Sequence, residues 1–133
     1  MEPVAIVTAF VAALYIVGRG PLLVAPAATA AFYRRLLSTP GRVQILGGLM
    51  VPLAAALIVT ARQARAAQGD ITILIEGFGW FTAAAAVLVI AAPGPWQRLF
   101  NSFYSSSDPA LRAVGALNIA IGLFFGWVAF FVL

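Results

Sequence analysis

The side chains able to do chemistry inside this chain are few. Arg19, Glu76 and Asn118 sit within long apolar runs, with Tyr15 and Thr82 as lesser polar companions. A lone protonatable carboxylate in such a setting suits proton-coupled transport. A guanidinium suits an ion pair, or it snorkels to headgroups. A carboxamide suits a hydrogen bond between helices, worth ~0.6 kcal/mol on average. A charge held in hydrocarbon costs ~2.5–3.5 kcal/mol on insertion scales, so each of these groups is expected to face protein or water. Glu76 follows closely on the start of its apolar run at Ile71, near one surface, where that cost drops. Its structural role is a pair with an arginine, a backbone donor or a partner subunit. Its functional role is a proton carrier.

Catalysis has a poor kit. There is no Cys, no His and no lysine. That excludes disulfides, thiolate nucleophiles, Cys/His metal sites and haem with a His or Cys axial ligand. Asp70 and Asp108 read as turn and cap residues. With no acid–base pair or positioned nucleophile, no enzyme is expected. No cofactor is implied, although apolar grooves would admit a lipid or pigment; no histidine stands ready to ligate a pigment's magnesium.

The elements that must position these groups follow from composition. The chain of 133 residues is 63% hydrophobic and 9% charged, against ~25% charged residues in an average soluble domain. Ile71 to Ala92, ITILIEGFGWFTAAAAVLVIAA, carries one ionisable group and is long enough to cross ~30 Å of hydrocarbon at ~1.5 Å per residue. A single membrane domain over 1–133 is the natural reading. All eight positive charges are arginines, giving a formal net charge of +4. They flank apolar runs, so anionic headgroups rather than nucleic acid are the expected partners.

The first crossing runs from Val4 to about Ala25. Its start lacks a basic segment, so it is expected to remain as a helix rather than a cleaved leader. Gly18-Arg19-Gly20-Pro21 should kink or end it, since Pro21 has no backbone donor. Arg19 lies roughly 22 Å along the helix from Val4. Pro26 to Leu37 holds Phe32, Tyr33, Arg34 and Arg35, the aromatic-plus-arginine mixture of a membrane boundary. Thr39-Pro40 reads as an N-cap and first helical residue. The second crossing, Val43 to Ala61, offers Gly47 and Gly48 for close contact and should bend at Pro52. Arg62 to Asp70 reads as a polar connector.

After the third crossing, Pro93-Gly94-Pro95 leads into Trp96, Arg98, Phe100, Phe103 and Tyr104. Trp96, Leu99, Phe100 and Phe103 recur at helical spacing. The spacing predicts a short amphipathic helix that starts at Pro95 and lies in the interface or packs on a partner. Asp108-Pro109 repeats the cap-and-proline start. The last crossing, Ala110 to Leu133, carries Asn118 and the small positions Gly115, Gly122 and Gly126. Arg34, Arg35, Arg42, Arg98 and Arg112 outweigh Arg62 and Arg65 on the other side. That bias predicts both termini outside, in the periplasm if the cell is bacterial.

The fold expected is an all-α integral membrane protein of four crossings. It forms two similar hairpins, about 4–62 and 70–133, in a parallel repeat, with short amphipathic helices after the first and third crossings. Gly18-Arg19-Gly20-Pro21 matches Gly77-Phe78-Gly79-Trp80. Val43 to Gly48 matches Leu111 to Ala116. Glu76-Gly77-Phe78-Gly79 and Pro109 through Gly115 resemble the small YjeT-like inner-membrane family of bacteria, here in tandem. Val17 stands where the first half would need the motif's Glu. The resemblance implies a bacterial inner-membrane location and no established activity. The expected role is a small non-catalytic accessory or scaffolding subunit of a larger membrane complex, contacting partner helices and lipids. The alternative is a four-helix proton-coupled exporter using Glu76. The chain is similar to small multidrug transporters in size and helix number, although their key Glu lies in the first helix.

Overall fold

The computed structural model describes residues 2–133. It is 90% helical, with no strand among the described residues. The helices are α1 (Pro3–Arg19), α2 (Pro21–Val24), α3 (Pro26–Leu36), α4 (Pro40–Gln68), α5 (Ile71–Ala91), α6 (Pro93–Tyr104) and α7 (Asp108–Trp127), with a π-helical turn at Val128–Val132. Four segments are long and apolar enough to cross a membrane: Pro3–Val24, Pro40–Gln68, Ile71–Ala91 and Asp108–Val132. Large apolar side chains such as Phe10, Leu49, Phe81 and Phe131 cover the outside. That is the inverse of a water-soluble surface and what lipid requires. The chain is thus consistent with a multi-pass membrane protein.

Proline punctuates the chain. α1, α2, α3, α4, α6 and α7 each have a proline at the first or second helical position, where the missing N–H would be unpaired anyway. Ala25 and Ala92, each preceding a proline, leave the helical region almost identically, at φ −134° ψ 70° and φ −134° ψ 65°. A following proline disfavours helical geometry at such positions. Gly20 stays helical before Pro21 at φ −54° ψ −40°, so the first crossing is interrupted at Pro21 but continues to Val24. The Thr39 hydroxyl accepts from the Arg42 amide at 3.2 Å, the N-cap expected there.

Three boundaries differ from the sequence expectation. α4 runs on to Gln68, because the arginines, alanines and glutamines after Ala61 are good helix formers whatever their polarity. The true turn is Gly69, at φ 75°, with Asp70; only glycine takes that backbone without strain. α6 begins at Pro93 rather than Pro95. α7 begins with Asp108 as its first residue and Ser107 in the N-cap position.

α4 packs most extensively on α5, and α1 on α7; α2 also lies against α7, and α6 against α4 and α3. The interior has two cores. One gathers Val4, Val11, Ala12, Leu57, Ala61, Ile75, Phe125 and Val128. The other gathers Leu22, Ala30, Leu37, Val43, Val89, Tyr104 and Leu111 under α3 and α6. Glycine sets the closest approaches. A Cβ at Gly115 would lie 2.7 Å from the Leu23 amide nitrogen, and one at Gly122 would lie 3.0 Å from the Ala12 carbonyl oxygen.

Candidate functional site

Glu76 is fully engaged. Its Oε1 accepts from Arg65 Nη2 at 2.6 Å and from Arg62 Nε at 3.2 Å, and its Oε2 accepts from Trp80 Nε1 at 3.3 Å. The Arg62 guanidinium also stands over the Trp80 ring, 5.8 Å from its centroid, a cation–π placement. The helical extension of α4 beyond Ala61 carries both arginines to the carboxylate, which lies little more than a turn into α5. Charge-assisted bonds of this kind are shorter and stronger than neutral ones.

Arg19 does not meet Glu76. It makes no ion pair with any carboxylate among the described residues. Instead it lines a chamber of about 420 Å³ between the two cores. Tyr15, Tyr33, Tyr104, Thr82 and Asn118 share that lining, and the rest is apolar, including Val11, Leu14, Leu53 and Phe78. No Asp or Glu borders it. A second hollow of about 310 Å³ lies beside it, lined by Arg34, Ser38, Gln97, Arg98 and Asn101. Tyr33, Leu37, Phe100 and Tyr104 border both spaces.

The short helices build the partition. Tyr33 and Tyr104 stack with centroids 5.2 Å apart at 15°, and Tyr33 donates its hydroxyl to the Gly18 carbonyl. Phe103 meets the edge of Tyr104, and Trp96 meets Phe100. Trp96, Phe100 and Phe103 pack inward on the core beneath α3, while Phe32, Arg34, Arg35 and Arg98 stay exposed. Gln97 ties α6 to the Ser38 carbonyl at 2.6 Å, and Arg34 reaches Ser105 at 3.5 Å. Burial raises the Tyr33 and Tyr104 phenols above their ordinary pKa, and the Arg19 charge pulls the other way. Both are therefore neutral donors near pH 7.

Asn118 is buried, but its amide donates to the Val114 carbonyl of its own helix at 2.8 Å. The expected interhelical bond is replaced by a back-bond to the preceding turn. Thr82 bonds Phe78 in the same way. Gly47, Gly115 and Gly122 take close helix contacts, and Gly126 meets Ala12 at an ordinary 3.8 Å. Gly48 meets nothing within 4 Å, so it has no part in packing within the chain. Gly79 is a contact glycine that sequence reasoning passed over as packing: a Cβ there would fall 3.2 Å from the Ile58 amide nitrogen. Its signal was its face, since Ile75, Thr82 and Ala86 at helical spacing are buried with it. No cluster of His, Cys, Asp or Glu that could hold a metal occurs among the described residues.

Comparison with protein-family models, with curated proteins and with solved structures gave no match. The class defined by the fold is therefore the coarse one, a helical protein with four segments able to cross a membrane.

Proposed function

We propose that this chain is a small accessory or scaffolding subunit of a larger membrane assembly, built as a tandem of the YjeT-like unit in a bacterial inner membrane. The observation that carries the subunit reading is a pair of exposed helical glycines, Gly48 and Gly77, at each of which a Cβ would touch nothing in its own chain. Glycine inside a helix costs roughly 0.5–1 kcal/mol relative to alanine. Lipid tails do not need it, whereas a helix of another chain approaches most closely over it. Gly48 and Gly77 lie on α4 and α5, the two most tightly packed helices, so this hairpin would present the seam.

The tandem reading draws support from the matched breaks at Ala25-Pro26 and Ala92-Pro93. It also draws on burial that runs in parallel along α4 and along α7 with the π-helical turn that follows it: Val43, Gly47, Ala54, Leu57 and Ala61 against Leu111, Gly115, Gly122, Phe125 and Ala129. In this scheme α3 and α6 are the interfacial helices, their exposed arginines meet anionic headgroups, and the arginine-rich connections face the cytoplasm. An exporter would need a carboxylate free to cycle its proton, and Glu76 is committed to two guanidiniums and an indole.

Gentle extraction and native mass spectrometry test the reading. A co-purifying membrane partner is the expected result, lost when Gly48 and Gly77 are both replaced by leucine. A lone monomer or dimer from native membranes would overturn it.

A further inference from the structure

Arg19 brings a positive charge to a chamber that offers no counter-charge. Its neighbours there are hydroxyls and a carboxamide, with no acid on any wall. Three of these polar groups gather at one end, while Tyr15 packs on Phe78 and Phe125, and Thr82 and Asn118 bond within their own helices. Arg19 closes the first helical segment and Tyr33 and Tyr104 come from the short helices, so they share the α3/α6 end. Val11, Leu53 and Phe78 belong to the core at the opposite end. Tyr104 is only 3% exposed and faces the chamber. The space is therefore amphipathic along its length, with a cationic, hydroxyl-rich head and an apolar shaft.

From this arrangement we infer that the chamber is a binding site for a single-chain anionic amphiphile, a long-chain carboxylate. The acid group would sit at Arg19, with Tyr15 and Tyr104 donating to it, and the chain would lie along Val11, Leu53 and Phe78. At about 30 Å³ for a water-sized unit, 420 Å³ holds roughly fourteen carbon-sized units, one acyl chain and not two. The exposed Leu14, Leu36 and Phe81 on its lining leave an open side through which the last carbons of a longer chain would pass. The volume falls within the ~300–1,000 Å³ of small-molecule sites. Arg19 is exposed and lines the space with no carboxylate beside it, so an acid adds a charge-assisted bond to the guanidinium, which a neutral alcohol of the same chain cannot do. Amphiphile binding goes beyond the proposed subunit role and does not rest on it.

The test uses the full chain in nanodiscs, with oleate and oleyl alcohol as probes and native mass spectrometry as readout. One oleate per chain is expected, held about tenfold or more tightly than the alcohol, since hydrogen bonds to charged groups are the stronger ones. R19Q should bring acid and alcohol to the same affinity, and R19K should keep the preference. A85L, which fills part of the shaft, should weaken both ligands. Equal binding of acid and alcohol by the wild type would overturn the inference. So would an acid preference that survives R19Q, or displacement of oleate by an equal concentration of dioleoylphosphatidylglycerol. The acid-to-alcohol ratio of the wild type needs no variant, so a misfolded R19Q leaves the question decidable.

Discussion

The rings of Tyr33 and Tyr104 stack 5.2 Å apart and join α3 to α6 across the wall between the chamber and the arginine-lined hollow. No other stacked pair links the two short helices among the described residues. Tyr104 is almost fully buried, and Phe103 packs on its edge. Tyr104→Ala should therefore destabilise the protein by ~3–5 kcal/mol, the usual cost of emptying a buried aromatic site. Tyr104→Phe keeps ring and stack and should cost under about 1.5 kcal/mol. Denaturant titration in a mild detergent, followed by helical circular dichroism, separates the two.

The same pair makes the α3/α6 end sensitive to alkali. Burial raises both phenols, with the Arg19 charge opposing. An unfolded tyrosine ionises near pH 10. Between that value and the higher folded one, the folded state holds more protons. Stability is then fully present below about pH 10 and falls as pH climbs through the folded values. The unfolding midpoint should drop above about pH 10, in step with tyrosinate absorbance. Tyr33→Phe with Tyr104→Phe should flatten that drop; an unchanged slope would assign it to other groups.

The spans were legible because hydropathy and length report them directly, and so were the Pro21 break and the Thr39 cap, since proline and threonine act on their own backbone. The connector at Arg62 to Asp70 was misread because polarity stood in for helix propensity; arginine and alanine extend a helix readily, and only Gly69 stops it. The chamber was not legible. Tyr15, Arg19, Tyr33, Tyr104 and Asn118 are separated along the chain and meet only through the contacts of α1, α3, α6 and α7. Periodicity can say that a residue lies on a packed face, but not that the facing side chains leave a gap.

Glu76 anchors the turn between α4 and α5 through Arg65 and Arg62. Arg62 and Arg65 remain well exposed, at 59% and 45% of their side-chain surface respectively, so their pairing is partly screened and its effect should shrink as salt rises. Arg65→Glu should lower the thermal midpoint by placing like charges together, and adding Glu76→Arg should recover most of the loss. Because Trp80 donates to Glu76, Glu76→Gln should also shift tryptophan emission. Proteoliposomes carrying Glu76→Gln and wild-type protein should take up a cationic dye equally under a proton gradient; a loss confined to the variant would revive the exporter.

Two glycines that sequence alone groups together as small packing positions, Gly115 and Gly48, should respond in opposite directions. A Cβ at Gly115 meets the backbone of α2, 2.7 Å from the Leu23 amide nitrogen and 3.1 Å from the Leu22 carbonyl carbon. Backbone cannot rotate away as a side chain can, so Gly115→Ala should force α2 and α7 apart at ~1–3 kcal/mol. Gly48 faces open space, and in the isolated chain Gly48→Ala should stabilise α4 by roughly 0.5–1 kcal/mol through backbone entropy. If another helix does seat over Gly48, the methyl that helps the isolated chain will hold that helix away. Gly48→Ala would then raise the unfolding midpoint of the purified protein while weakening recovery of its partner. An alanine at Gly48 that left both quantities unchanged would remove the case for a helix at that seam.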